Sequence, residues 1–371
     1  MVLQKLQLTN FRNYNREEID FRSGTNILFG SNGQGKTNIL ESLYYLALTK
    51  SFRTNSDQNL ILTTENYFRI EGEFKTEQGR KLSSSIAYSA SEGKRLNLNN
   101  QKISKFVDYI GTIPLVLLAP SDLGISQGGP HQRRQFIDIM LSQASQLYLH
   151  SLLQYRRALK QRNLLLQQDK IDGGVLAAWD QALGQHGSAI IEKRLETIAE
   201  LDKRVKQFYL KLSGGEDQVK LIYQTSFTLK KNAKLEEAFL EELNKNAEKD
   251  RQSGTTSCGP HRDEILFLIN GKPLRWMGSQ GEHKTFIIAL KMAEYEYLGS
   301  NQKSLPLLLF DDIFGELDQN RIKNMIGSLN QIGQVFITTT SPNFFDKVEE
   351  WDNDTSFYEI RDGQVAEKVL S

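Results

Sequence analysis

The sequence predicts an α/β fold with a mixed central sheet, an antiparallel β subdomain and an inserted, mainly helical second lobe. Three observations predict this class. An apolar strand, a glycine-rich loop and a helix follow one another within residues 25–48. Apolar residues then recur at helical spacing between about residues 131 and 250. After about Thr255, strands and helices alternate again, and we expect them to complete the opening sheet.

The predicted division has three parts, at residues 1–125, 126–254 and 255–371. The first part opens with the strand patterns LQKLQLTNF, EEIDFR and TNILFG. Partial period-two alternation follows in YFRIEGEF, KLSSSIAY and KRLNLNNQKIS, as in a peripheral antiparallel sheet, and PLVLLAP is typical of a buried strand. The third part contains the strands DEILFLI, LPLLLF and QVFITTT, separated by helical patterns.

The middle part shows two stripes of apolar residues at helical spacing, one on each side of Gly173 and Gly174. They predict an antiparallel helical pair, followed by the strand VKLIYQTSF and a third helix around residues 234–250. Core packing accounts for these stripes.

Composition narrows the class of protein. Hydrophobic residues make up 39% and charged residues 25% of the chain, as in ordinary globular proteins. The single Cys258 leaves no internal disulfide and fits a reducing cytoplasm. The longest apolar runs are strand-sized, so we expect no membrane span. A net charge of +1 gives no global basic field, so nucleic-acid binding would require basic residues sorted onto one face.

The strongest local signal is GSNGQGKT, which follows the strand TNILFG and opens a helix. This is the context of a P-loop, whose glycines let backbone amides turn toward phosphates at a helix N-terminus. We expect Lys36 to reach the β- and γ-phosphates of ATP and the Thr37 hydroxyl to bind Mg²⁺. The remaining predicted nucleotide-binding residues of the loop are Gly30, Ser31, Asn32, Gly33, Gln34 and Gly35.

A second element of the predicted phosphate site is LPLLLFDD, in which a hydrophobic strand delivers two carboxylates at its C-terminal end. Asp311 is placed to hold Mg²⁺, directly or through water. Asp312 is predicted to be catalytic, because it would orient or deprotonate the attacking water.

Two segments compete as the signature loop of an ABC-type ATPase. LSGGE at residues 212–216 matches the transporter signature letter for letter, but a strand pattern follows it. GSQGE at residues 278–282 opens a good helix and leads to Asp311 after about thirty residues. We therefore choose GSQGE, with Ser279 as a catalytic and nucleotide-binding residue and Gly281 as a binding residue.

In ABC-type ATPases this loop serves the γ-phosphate bound by the other subunit, so hydrolysis would require a homodimer. The segment GELD at residues 315–318 resembles the D-loop of such an interface. The threonines at 338–340 occupy the switch position where transporters usually carry histidine.

The order of the motifs resembles the RecF family of DNA repair ATPases, relatives of the structural-maintenance-of-chromosomes proteins. The resemblance is carried by LTNFRNY, the P-loop through KSFRT, GGPHQRRQFID, CGPHRDEILFLINGKPL, SQGEHKT, LLLFDDIFGELD and QVFITTTS. It implies an ABC-type P-loop ATPase lobe and covers nearly the whole chain. The residue at position 121 is serine, where we would expect an acidic residue in the family.

The resemblance also implies a function. RecF-like proteins dimerise with ATP, bind single-strand/double-strand junctions of gapped DNA, act with RecR and RecO, help load RecA and hydrolyse ATP slowly. By the same resemblance, Arg12 and Asn13 would approach the nucleotide and Arg53 would belong to a DNA-linked arginine loop. His261, Arg262 and Asp263 would lie where the insert rejoins the ATPase lobe.

Alternatives remain at this stage. The chain could be the ATPase subunit of an ABC-type transporter, another SMC-like repair ATPase or a small-molecule P-loop kinase. The arginines and lysines that are candidates for contact with DNA phosphates are at positions 133, 134, 156, 157, 160, 162, 203, 204 and 206.

Overall fold

The structure is a computed structural model that describes residues 1–170, 172–215, 217–228, 234–302, 304–313, 333–340 and 355–368. Two compact units emerge. The first contains Met1–Asp122, Lys211–Ser213 and Lys291–Ser371, and the second contains Leu123–Leu210 and Gly214–Leu290. The three-part division of the sequence stays a prediction.

The strands and helices of the described residues are numbered along the chain. The strands are β1 Val2–Phe11, β2 Tyr14–Asp20, β3 Thr25–Phe29, β4 Tyr67–Lys75, β5 Lys81–Ser89, β6 Gly93–Leu98, β7 Gln101–Lys102, β8 Leu115–Leu118, β9 Val219–Gln224, β10 Glu264–Ile269, β11 Lys272–Pro273, β12 Leu307–Asp311, β13 Val335–Thr339, β14 Thr355–Arg361 and β15 Gln364–Lys368. The helices are α1 Lys36–Leu48, α2 Leu123–Gln127, α3 Pro130–Ala144, α4 Gln146–Leu166, α5 Gly173–Ser213, α6 Leu235–Lys245, α7 Ala247–Ser253, α8 Leu274–Met277 and α9 Gln280–Asn301.

The central sheet of the first unit has the strand order β15-β14-β3-β13-β12-β8. β14, β3, β13, β12 and β8 run parallel, and β15 pairs antiparallel to β14. Every residue of β12 and β13 is buried, because a parallel sheet is covered on both faces. The carboxyl ends of the parallel strands therefore meet at one edge, where ligands bind in open α/β sheets.

The same unit contains an antiparallel sheet in the order β2-β1-β4-β5-β6-β7. In β4, buried residues such as Phe68, Ile70 and Phe74 alternate with solvent-facing ones, as in a sheet with one covered face. The second unit combines α3–α5 with the small sheet β11-β10-β9. The predicted α/β class, with a mixed sheet and an antiparallel sheet, is confirmed.

The predicted helical pair of the middle part is wrong in one respect, because its first stripe is two helices. α3 ends at Ala144 and α4 begins at Gln146, with an extended Ser145 between them. The Ser145 side chain accepts a hydrogen bond from the amide of Tyr148 at 3.2 Å and so caps α4. No proline or glycine marks the break, and the apolar spacing continues across it.

The LSGGE segment does not open a helix. Leu212 and Ser213 end α5, and Gly214 caps its C-terminus with a left-handed φ of 62°. A helix C-terminus carries a negative partial charge and exposes carbonyl groups, which repel phosphate. The described residues of this segment therefore form a helix end, and they do not support a transporter signature there.

No helix of the described residues is both long enough and apolar enough to cross a membrane.

The second unit contains a partly buried histidine with two fixed partners. His261 Nδ1 lies 2.6 Å from the Tyr155 hydroxyl, and Nε2 lies 3.0 Å from the Thr256 carbonyl. These partners assign the proton to Nε2, because a carbonyl can only accept. The pKa of His261 is lowered to about 4, mainly by burial. The positive charges of Arg262 and Arg134 also lower it, and the hydrogen bond to the Thr256 carbonyl opposes the shift.

This histidine predicts an acid sensitivity of the fold. Between pH 6.5 and 4 the unfolded chain binds a proton at His261 that the folded chain does not, so stability falls as pH falls. We expect this residue to lower the free energy of unfolding by about 2 kcal/mol between pH 7 and pH 5. Urea denaturation at both values, for wild type and His261→Gln, isolates the contribution. An equal pH dependence in the two proteins would contradict the assignment.

Candidate functional site

The glycine-rich loop lies between β3 and α1, at the carboxyl edge of the central sheet. Its glycines at 30, 33 and 35 have φ values of 149°, 82° and 117°, which side chains strain to adopt. A Cβ on Gly30 would lie 2.3 Å from the Ile360 carbonyl oxygen. On Gly35 it would lie 2.7 Å from the Asn13 side chain. Only glycine fits these two positions, and the resulting turn ends at a helix N-terminus suited to an anion.

Lys36 is folded back over this loop. Its Nζ donates hydrogen bonds to the carbonyls of Gly30 at 2.7 Å and Ser31 at 2.8 Å. Burial lowers the pKa of Lys36, and the negative charges of Asp312 and Asp311 oppose that shift. The ammonium group is thus positioned inside the turn, while residues 31–33 are exposed. This arrangement can hold a chain of phosphates.

Asp311, at the end of β12, meets the first turn of α1. Its Oδ1 accepts hydrogen bonds from the Thr37 hydroxyl at 2.7 Å and the Thr338 hydroxyl at 2.9 Å. Burial raises the pKa of Asp311, and these two hydrogen bonds oppose the rise. A hydroxyl and a carboxylate beside a phosphate loop are hard oxygen ligands of the kind that Mg²⁺ takes together with substrate phosphates. Among the described residues no group of three His, Cys, Asp or Glu side chains forms a separate metal cage.

Asp312 follows directly and leaves the strand in a left-handed conformation, with a φ of 49°. Its amide donates to the Thr338 hydroxyl at 2.9 Å, and its side chain is exposed. Asp312 also contributes to the electrostatic environment of Lys36. One threonine therefore fixes both acidic residues. Thr338 lies in the predicted switch position, but nothing in the sequence indicated these contacts.

Two hairpin tips hold the loop from outside. At the β1–β2 turn, Asn13 Nδ2 donates to the Gln34 carbonyl at 2.9 Å, and the Tyr14 hydroxyl donates to the Gly35 carbonyl at 3.1 Å. At the β14–β15 turn, the amide of Asp362 donates to Gln34 Oε1 at 2.5 Å. Asn13 thus contacts the loop, and its predicted approach to the nucleotide stays a prediction. The β14–β15 contact was missed, because it joins residues more than three hundred positions apart.

Arg12, the other residue of the β1–β2 turn, binds a carboxylate. Its Nε and Nη2 donate to the two oxygens of Glu41 at 2.8 and 2.7 Å, and its Nη1 donates to the Asn59 carbonyl at 2.8 Å. Glu41 is on α1 and is fully buried. It was missed from the sequence, although a glutamate in the apolar helix segment ILESLYYLAL was a usable signal.

Ser279 and Gly281 belong to the second unit. Ser279 and Glu282 form a capping box: the Ser279 amide donates to Glu282 Oε2 at 2.7 Å, and the Glu282 amide donates to Ser279 Oγ at 3.2 Å. Hydrogen bonds from the backbone amide and the side chain of Ser279 to the Glu282 carboxylate lower the pKa of Glu282. The predicted signature loop therefore forms the exposed, capped N-terminus of α9. The carbonyl of Gly281 accepts a hydrogen bond from the Thr285 hydroxyl at 2.8 Å.

Other predicted features lie outside the described residues. They are the GELD segment at 315–318, Ser341 and Glu216.

The prediction of DNA contact is wrong for two of the basic residues. Arg162 is fully buried and pairs with Asp180 at 2.6 Å and Asp250 at 2.7 Å. Arg133 is also buried and pairs with Glu264 at 2.9 Å. Both fall on the inner face of a helix, which the sequence pattern of alternating charges did not reveal. The exposed basic residues that remain as candidates on α4 and α5 are Arg156, Arg157, Lys160, Lys203 and Lys206.

Comparison with known proteins gives concordant matches along the whole chain. The sequence profile of the RecF/RecN/SMC N-terminal domain matches residues 2–359. The DNA replication and repair protein RecF of Streptococcus suis (strain 05ZYH33) is 38% identical over 368 residues, covering 99% of this chain and 100% of that protein. The Streptococcus uberis protein of the same name is 40% identical over 343 residues, or 92% and 93% of the two chains.

Solved structures agree. The recombination mediator protein RecF-ATP in the RecFOR pathway matches with a TM-score of 0.90 and 30% identity, over 99% of this chain and 98% of that one. The Smc head bound to the C-winged helix domain of ScpA matches with a TM-score of 0.58 and 18% identity, over 100% and 98% of the two chains. The Smc likeness shows the fold alone. From the family profile, the full-length sequence matches and the RecF structure together, this chain belongs to the RecF family of DNA replication and repair proteins.

Proposed function

We propose that this chain is an ATP-dependent DNA-binding protein of recombinational repair and replication-fork maintenance. It binds single-strand/double-strand junctions at gaps as an ATP-induced dimer and helps RecO and RecR to load RecA. The observation that carries the proposal is the convergence of Lys36, Thr37, Asp311 and Asp312 at one edge of the central sheet. The similarity to a RecF-ATP structure supports ATP as the ligand.

In this proposal the loop at residues 30–37 binds the phosphates of ATP. Lys36 exchanges the carbonyls of Gly30 and Ser31 for phosphate oxygens, since an ammonium group prefers an anionic partner. Thr37 and Asp311 hold Mg²⁺, which neutralises charge on the phosphates when bound. Asp312 orients or deprotonates the attacking water, because its carboxylate is exposed beside Lys36.

The proposed dimer uses the N-terminus of α9. Ser279 and Gly281 of one copy complete the site around the γ-phosphate bound by the other copy, where a hydroxyl and a helix dipole favour an anion. ATP then acts as the link between two chains, and its hydrolysis releases them. Each reaction cycle therefore changes the assembly state of the protein and its affinity for DNA.

DNA binding tests this proposal directly. We expect fluorescence anisotropy to show tight binding to gapped DNA with ATP, and weaker binding to blunt duplex, to single strands or without ATP. Affinity should fall as salt rises, because phosphate contacts release counterions. Replacing both Arg157 and Lys160 on α4 with Gln should make the slope of log affinity against log salt less steep by about 2.

The matched control replaces Lys81 and Lys102, two exposed lysines of the antiparallel sheet, with Gln. It removes the same charge elsewhere and should leave the slope unchanged. Equal binding of gapped and blunt DNA, or binding indifferent to ATP, would contradict the proposed function. A slope changed only by the control pair would move the DNA surface to the antiparallel sheet.

A further inference from the structure

A buried carboxylate on α1 binds two arginines beside the glycine-rich loop at residues 30–37, which we call the phosphate loop. Glu41 is fully buried, one turn after Thr37. Besides its bidentate pair with Arg12, it accepts from Arg53 Nη1 at 3.3 Å and from the Ser51 hydroxyl at 2.5 Å. One negative charge therefore serves two guanidinium groups, which leaves the cluster with an excess positive charge facing outward.

A chain of side-chain hydrogen bonds joins this cluster to the loop. Arg53 Nη1 donates to Asn38 Oδ1 at 2.8 Å, and Asn38 Nδ2 donates to Asn13 Oδ1 at 2.8 Å. Asn13 in turn donates to the Gln34 carbonyl within the loop. Each link is short and each amide uses both of its ends. A displacement of Arg53 would therefore be felt at Gln34.

The arginines are only partly covered by protein. The side chain of Arg53 is 44% exposed and that of Arg12 is 21% exposed, whereas Glu41 is not exposed at all. Arg53 is also close enough to Asp311 to oppose the rise in its pKa. By contrast, Arg162 in the second unit is buried together with its partner Asp250. Here the carboxylate is inside, and Arg53, the more exposed of the two cations, also binds Asn38 in the first turn of α1.

We propose that Glu41 is a positioning residue for ATP hydrolysis: it holds Arg12 and Arg53 in fixed orientations at the flank of the phosphate loop. The inference rests on the proposed function, because it assumes that ATP occupies the loop. Fixed cations favour the transition state over the bound substrate, since they need no rearrangement when charge develops on the phosphates. Loose cations still attract ATP.

The test is the steady-state kinetics of Glu41→Gln. The amide keeps the shape but offers one acceptor oxygen and places N–H groups against the arginines, so both guanidinium groups lose their fixed orientation. We expect kcat to fall roughly tenfold to a hundredfold, with KM for ATP unchanged or lower, because a negative charge has been removed. Arg53→Lys, at an exposed position that tolerates change, should also lower kcat, because lysine cannot bind Asn38 and Glu41 together.

Two controls separate positioning from stability. Asp180→Asn breaks one ion pair of the buried Arg162 in the other unit, and it should lower the unfolding midpoint without changing kcat or KM. In a chain that already carries Arg12→Ala and Arg53→Ala, Glu41→Gln should have no further effect on kcat. A normal kcat for Glu41→Gln, a rise in KM alone, or additive effects would overturn the inference. Absence of turnover in the wild type would instead reject the proposed ATPase.

Discussion

Asp312→Asn should trap the ATP-bound dimer and lower ATP turnover by about a hundredfold or more, the usual contribution of a general base. The amide cannot accept a proton from water, whereas the groups proposed to bind the phosphates and Mg²⁺ are intact. The change should not disturb folding. Asn tolerates the left-handed conformation at this position, and the backbone hydrogen bond to Thr338 is retained.

Turnover, ATP affinity and assembly should be measured together. Gel filtration with ATP should show Asp312→Asn as a persistent dimer, while the wild type returns to monomer as ATP is consumed. Lys36→Ala provides the contrast, because it removes the ammonium group from the loop and should abolish both binding and assembly. An Asp312→Asn protein that binds ATP but stays monomeric would count against the composite site, and one with normal turnover would remove Asp312 from catalysis.

Ser279→Asp should abolish turnover while each chain still binds ATP. Aspartate caps a helix as well as serine does, so the N-terminus of α9 and its capping box with Glu282 should survive. The added negative charge would, however, face the γ-phosphate proposed to arrive from the other copy. We therefore expect the dimer and its activity to be lost by repulsion, without loss of stability.

The comparison with Ser279→Thr makes this test specific, because threonine keeps both the hydroxyl and the cap. Thermal unfolding should give similar midpoints for the three proteins. Wild-type activity in Ser279→Asp would show that this helix terminus is a structural cap alone. Loss of ATP binding by the isolated chain would instead place Ser279 in the same copy's site.

The strand, glycine-rich loop and helix at residues 25–48 could be predicted from the sequence because their signals are local. Glycines at fixed offsets, a lysine and a threonine lie within eight residues, and the strand before and the helix after them are short-range patterns. Asp311 could be predicted for a related reason. An apolar run fixes a buried parallel strand, and all parallel strands of a sheet end at one edge.

The network around Glu41 could not be predicted in the same way. Its members come from a hairpin turn, a helix and a loop, and no spacing in the sequence joins Arg12 to Arg53. The same limit explains Arg133 and Arg162, which look like members of a basic surface until their burial is known. The break between α3 and α4 also escaped, because the capping serine interrupts the backbone without interrupting the apolar spacing.

The sequence by itself determined the family, the α/β class and the positions of the glycine-rich loop and of the two acidic residues at the end of β12. The tertiary structure decided which charged residues are buried as structural ion pairs and which face outward at the site. The physical reason is that strand and loop patterns depend on neighbours along the chain. Whether a charged side chain is buried in an ion pair or exposed to water depends on the partners that the folded chain places around it.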